Sequence, residues 1–322
     1  MPTVAVARNA MATRFEIVLH GDDPAALRAA GEEALDEIDR IEAQLSLYRP
    51  TSEIARLNAR AAHAPVRVTP ALFRLLESAR ELTQATGGAF DVTIAPLVRC
   101  WGFMHGTGAL PRPEEIAEAR ARVGMHLVEL DGENLCVRFQ REGVMLDLGA
   151  IGKGYALGRA AELLREAGVT SALLHGGTST VYALGQPPGQ EHWRIAIQPP
   201  PARYPGQPAP KMPAVLLRDE ALSVSAVWGK SFQTADRTFG HVLDPRTGEP
   251  VNGALLSAVI LPSAMETDAL STALLVLGEA GLSLLAQLRP GVRALVLGED
   301  SPAGFRVTTE PREGFETREN PV

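Results

Sequence analysis

Two hydrophobic periods alternate irregularly along this chain, and that alternation limits its possible folds more than any other feature. In residues 14–20 (RFEIVLH), Phe15, Ile17 and Leu19 fall on every second position, as in a strand with one face buried. Asp23-Pro24 then supplies a capping residue and a first-turn proline. Leu27, Ala34, Ile38, Ile41 and Leu45 mark one face of the helix that follows. A second helix opens at Thr69-Pro70 and carries Leu72, Leu75, Leu76, Ala79 and Leu82. Gly87-Gly88 closes it, because a left-handed residue beyond a helix end is easiest for glycine.

Further on, residues 127–130 and 135–139 predict a hairpin around Asp131-Gly132-Glu133-Asn134. VMLDL (144–148) predicts a short strand, followed by GAIGKG and a helix to about residue 168. SALLH and TSTVYAL predict strands parted by Gly176-Gly177, and residues 193–198 another. Segment 199–213 has seven prolines in fifteen residues, which excludes a helix or central strand and predicts an exposed loop. Strands are expected at 215–225 and 254–262, a helix from 265 to about 277, a last strand at 292–297 and a polar tail at 309–322. Irregular interleaving with hairpins, and no repeat, predicts an α+β fold with mixed or antiparallel sheets and packed helices.

Of the 322 residues 45% are apolar, enough for a sizeable core. A formal charge of −7 with no basic stripe argues against a nucleic-acid partner. Cys100 and Cys136 form no metal-ligand pattern and are expected to be buried free thiols. No stretch reaches the roughly 20 apolar residues of a membrane-spanning helix. The first residues carry neither a charged leader with a long apolar run nor a lipobox cysteine, so the chain as written reads as cytoplasmic.

Several segments can carry chemistry, each with a plainer alternative. The glycine loop at 149–154 exposes backbone N–H groups at a helix start beside Lys153, which suits a phosphate. The same features serve a tight turn with a surface lysine. It is not a Walker A loop, since Asp147 and Gly154 stand where that motif needs glycine and Ser or Thr. His241, ahead of Asp244-Pro245-Arg246-Thr247-Gly248, is placed to move a proton near neutral pH, or only to shape a turn. Asp268, Ser271 and Thr272 fall at i, i+3 and i+4 of one helix face. Hard oxygens of this kind suit Mg²⁺ or Ca²⁺ better than Zn²⁺. The alternative is a helix cap. Gly87-Gly88-Ala89-Phe90-Asp91 and Ser46-Leu47-Tyr48-Arg49 complete the set, with a helix C-cap and turn, and a polar loop, as their plain readings.

In order, the pieces MATRFEI, LSLYRPTSEIARLN, TGGAFDVTIAPL, LDLGAIGKGYA, LHGG, HVLDPRTGEPV and TDALSTALLVLG resemble the ApbE family of FAD:protein FMN transferases, formerly called thiamine biosynthesis lipoproteins. They run from Met11 to Gly278. The resemblance implies one T-fold-related domain over 1–322, of two lobes with a central FAD cleft. It implies flavin contacts from Met11 and Tyr48, a nucleotide site at Ala89, Phe90 and Asp91, and FAD contacts from Asp147 and Lys153. It further implies a metal held by the Ala150 carbonyl, Asp268 and Thr272, with Ser271 at a further ligand position. Mg²⁺ is the expected cation, with Ca²⁺ or Mn²⁺ as alternatives. His241 matches the family's catalytic histidine. The implied reaction moves FMN from FAD to a Thr or Ser hydroxyl of an acceptor, releasing AMP. The implied acceptor is a subunit of a membrane redox complex, and most family members are exported. An FAD pyrophosphatase and a non-catalytic flavin carrier stay open. Three motifs depart from the family's usual form. MGT is Met11-Ala12-Thr13, NxGG ends as His175-Gly176-Gly177, and Thr-Ser-Gly is Val224-Ser225-Ala226.

Overall fold

The structure is a computed structural model that describes residues 1–104, 106, 108–200, 210, 212–234, 238–300, 304–310 and 315–316. Most of the proline-rich segment 199–213 and of the tail 309–322 lies outside the described residues. The chain forms two compact units. The first comprises residues 1–42, 151–225 and 253–322, and the second 43–150 and 226–252.

An eight-stranded sheet organises the first unit. Its strands follow one another in chain order: Thr3–Ala10, Thr13–His20, Ser171–Gly176, Thr180–Gly185, Glu220–Ala226, Ala254–Leu261, Arg293–Asp300 and Gly304–Glu310. Adjacent strands from Thr3 to Ala226, and again from Ala254 to Glu310, pair antiparallel. The α+β class with antiparallel sheets is as expected. Phe15, Ile17 and Leu19 are fully buried, so the two-residue period marks the face turned to the core. Strand Ala254–Leu261 is buried along its whole length, as befits a strand covered on both faces. Helix Ala264–Leu277 packs on that strand and on helix Gly152–Glu166.

In the second unit, helix Pro70–Ala85 starts at Thr69, whose side chain accepts the Leu72 N–H, and buries the five predicted apolar residues. Gly87 and Gly88 take positive φ just past its end. The predicted hairpin is present as Val128–Asp131 against Cys136–Phe139, with Val66–Arg67 as a third strand.

Four expectations need correction. VMLDL buries Val144, Leu146 and Leu148 at alternate positions but forms no strand. Asn58 accepts the Leu146 N–H and donates to the Leu146 carbonyl, and the Asp147 N–H goes to Val92, so a side chain replaces the ladder. Residues 215–225 form two strands in different sheets, Ala214–Leu217 and Glu220–Ala226, broken at Asp219 with φ of +54°. Beyond the expected last strand, Gly304–Glu310 adds one more to the large sheet. Cys100 and Cys136 are free, as expected, but half-buried rather than buried. Among the described residues, no helix is long and apolar enough to cross a membrane.

Candidate functional site

The predicted metal face lies in the first unit, on helix Ala264–Leu277. Ser263 caps that helix through its side chain, so Asp268 is not a capping residue. Asp268 is only 4% exposed, and an ionised carboxylate so placed needs partners. Its Oδ2 accepts the Gly154 N–H at 3.0 Å, in the first turn of helix Gly152–Glu166. Its Oδ1 lies 3.4 Å from the Lys153 ammonium and 3.5 Å from the Thr180 hydroxyl. The two helices meet so closely that a Cβ on Gly154 would lie 2.0 Å from the Ala264 carbonyl oxygen. Glycine at this position is therefore a packing requirement.

Behind Asp268 runs a chain of buried hydroxyls, in which Ser223 meets Thr267 at 2.8 Å and Thr180 at 3.4 Å. Ser271 is fully buried, donates to the Asp268 carbonyl at 3.0 Å and meets Ser225 at 2.9 Å. Half-buried Thr272 is 3.3 Å from Ser225. The donors are all oxygens, one of them anionic, which fits a hard divalent cation. Among the described residues no three His, Cys, Asp or Glu side chains gather as a metal centre. The residues present thus suit an oxygen-liganded cation and not a zinc-type site.

Also in the first unit, Met11 and Ala12 form the tip of the hairpin between its first two strands. Both take positive φ, +49° and +59°, the conformation a two-residue hairpin turn demands and non-glycine residues resist. Gly177 has φ of +67° and donates to the Arg14 carbonyl. A Cβ there would strike Thr13 Oγ1 at 2.2 Å, so the Met11-Ala12-Thr13 and Gly176-Gly177 turns abut. His175 pairs across the strands with Glu16. Burial pulls its pKa below the ordinary value, against the opposing charge of Glu16.

In the second unit, the Ser46 hydroxyl accepts the Tyr48 and Arg49 N–H groups, while the Ser52 hydroxyl donates to the Ser46 carbonyl. This fixes a loop that presents Tyr48 58% exposed. Partial desolvation, then the charge of Asp147, raises the Tyr48 phenol above its ordinary pKa. Asp147 Oδ1 accepts the Gly149 N–H at 2.8 Å, which shapes the turn ending at Ala150. Ala89 and Phe90 are buried beside Asp91. The Asp91 carboxylate accepts the Thr93 hydroxyl and N–H and the Met125 N–H. Burial raises its pKa and these hydrogen bonds oppose the rise. Asp91 therefore ties the Ala89–Thr93 turn to the backbone at Met125.

His241 is half-exposed in the same unit. Its backbone N–H and its ring Nδ1 both lie 3.1 Å from the Lys230 carbonyl oxygen. A carbonyl only accepts, so Nδ1 carries the proton in this contact, and in the neutral ring Nε2 is the acceptor nitrogen. Asp244 caps its own turn through the Arg246 N–H and holds the Arg246 guanidinium. A Cβ on Gly88 would lie 3.6 Å from Arg246 Cγ.

The predicted residues thus fall into two groups. Asp268, Ser271, Thr272, Lys153 and Met11 lie in the first unit, and Tyr48, Ala89, Phe90, Asp91, Asp147, Ala150 and His241 in the second. Sequence reasoning missed Thr180, Ser223 and Thr267 behind Asp268. Hydroxyls at otherwise buried positions of strands and a helix were the available signal. Nothing local in the sequence marks Asn58 as a clamp on Leu146, 88 positions away.

A model of the ApbE family matches residues 11–296. The FAD:protein FMN transferase of Treponema pallidum is 32% identical over 304 residues, covering 89% of this chain and 82% of that protein. The FAD:protein FMN transferase of Klebsiella pneumoniae is 30% identical, covering 97% and 85%. The apo crystal structure of the Pseudomonas stutzeri flavinyl transferase ApbE superposes with a TM-score of 0.82 at 30% identity, covering 96% and 94%. Sequence and fold agree over most of the length of both partners in each comparison, and this chain belongs to the ApbE family.

Proposed function

We propose that this chain is a flavin transferase that moves FMN from FAD to a Thr or Ser hydroxyl of another protein and releases AMP. The observation that carries this is the His241 ring, whose Nδ1 contact with the Lys230 carbonyl at 3.1 Å makes Nε2 the proton acceptor. A flavin carrier has no use for an oriented base. His241 takes the proton of the acceptor hydroxyl, and that oxygen attacks the FMN-side phosphorus. The bond to the bridging oxygen breaks, and AMP leaves with the electron pair.

Such phosphoryl transfer depends on positioning and on charge neutralisation. Asp268 and Thr272, on one face of their helix, would hold a divalent cation, with Ser271 at a further ligand position. A cation bound there (Mg²⁺ first, Ca²⁺ or Mn²⁺ as alternatives) would supply charge to offset that developing on the pyrophosphate. Lys153 adds a second positive charge. In the second unit, exposed Tyr48 offers apolar surface to the flavin ring, and the Ala89–Phe90–Asp91 turn and Asp147 line the nucleotide. The acceptor is a flavin-carrying subunit of a membrane redox complex. AMP release from FAD and Mg²⁺ should depend on adding such an acceptor domain, one AMP per protein-bound FMN. AMP released at the same rate without acceptor would instead mark a pyrophosphatase.

A further inference from the structure

His241 lies on a loop, yet a general base must be held to within a fraction of an ångström of its task. What holds this loop is an aromatic cluster within the second unit. Residues Ser231–Gln233 and Thr238–Gly240 pair as a small hairpin, with Phe232 opposite Phe239. Their rings stack at 5.2 Å. Trp101, 2% exposed, lies 5.5 Å from Phe239 and 6.4 Å from Phe232, while Phe103 lies 5.8 Å from Phe232. The fit around Phe232 is tight, since a Cβ on Gly108 would lie 2.2 Å from its ring.

The chain then leaves the hairpin through His241, and Leu243 returns to the same cluster. The turn beyond is closed by Gly248 N–H to Asp244 and Asp244 N–H to Glu249, both at 2.8 Å. The Trp101 indole N–H donates to the Gly248 carbonyl at 2.7 Å. Gly248 itself has φ of +80°, and a Cβ there would lie 2.8 Å from Ile116. One tryptophan thus grips the loop on both sides of the histidine, by ring contact at Phe239 and by hydrogen bond at Gly248.

We propose that Trp101, with Phe232 and Phe239, is a positioning residue for His241, setting the imidazole rather than touching FAD or acceptor. The proposal rests on His241 being the general base. The indole N–H is the discriminating element, because Trp101→Phe keeps an aromatic ring but leaves the Gly248 carbonyl without that donor.

The test is a double-mutant cycle read by single-turnover transfer of FMN from FAD to an acceptor domain with Mg²⁺, alongside FAD affinity by flavin fluorescence. Trp101→Phe should lower the transfer rate roughly 10- to 100-fold, the scale of a misplaced catalytic group, with FAD affinity unchanged. In a His241→Ala background it should lower the residual rate no further, since the two act as a unit. Phe232→Leu, at a half-buried position, should show the same pattern more weakly, and serves if Trp101→Phe does not fold. Additive losses in the double mutant, or a loss of FAD affinity matching the loss of rate, would overturn the positioning role with the general base intact. A full rate in His241→Ala would instead remove the reading on which the proposal rests.

Discussion

Asp268 and His241 are both held through hydrogen bonds, but by different means. Asp268, itself buried, is fixed by regular structure: a helix N–H, a neighbouring lysine and the buried hydroxyl of Thr180 on a strand. His241 is fixed by two short turns and a cluster of rings gathered around them. The difference fits what each would do. A cation ligand gains from a rigid setting whose donors need not move. A group that passes a proton to and from an incoming protein needs access, and its precision must come from neighbours.

This contrast can be broken by substitution, starting with the largest effect. Asp268→Asn keeps the shape and an acceptor for the Gly154 N–H but removes the charge. Calorimetry with Mn²⁺ should show affinity falling by more than the roughly 10–100-fold cost of losing an outer-sphere partner, while His241→Ala leaves it unchanged. Equal affinity in Asp268→Asn would remove the cation site from this helix.

Gly154→Ala should cost about 3 kcal/mol of stability in denaturant unfolding, because its Cβ would meet backbone rather than a movable side chain. Stability equal to the wild type would show that the two helices can part without penalty, contrary to a rigid setting for Asp268.

Smaller gains lie at the hairpin tip. Ala12→Gly should stabilise by roughly 0.5–1 kcal/mol, since relief of the positive φ outweighs the added freedom of the unfolded chain. The smallest effect concerns pH. Burial lowers the His175 pKa from its ordinary 6.5, so the unfolded chain binds more protons than the folded one between the two values. That contribution to stability is present above about pH 6.5 and is lost as pH falls through the folded pKa. His175→Asn should flatten the decline of melting temperature over that acid range, leaving the share due to His20, whose pKa burial also lowers.

Much of this was legible in the sequence where the signal is local. Thr69-Pro70 and Gly87-Gly88 bracket a real helix, and the i, i+3, i+4 spacing put Asp268, Ser271 and Thr272 on one surface. Non-local partners were not legible. VMLDL has the composition of a strand, and only the distant Asn58 and Val92 divert its backbone hydrogen bonds. The break at Asp219 depends on two sheets claiming neighbouring residues. Likewise the turn after His241 could be read from Asp-Pro-x-x-Gly, but the donor that holds it, Trp101, stands 147 positions from Gly248.

Covalent flavin on an acceptor tests the central claim most directly. The protein is incubated with FAD, Mg²⁺ and a flavin-acceptor domain, then denatured and examined by flavin fluorescence and mass spectrometry. The wild type should leave one FMN joined through phosphate to a Thr or Ser of the acceptor, and His241→Ala should form it roughly 10²–10⁴-fold more slowly. An acceptor that emerges unmodified, with FAD consumed or intact, would contradict FMN transfer to protein.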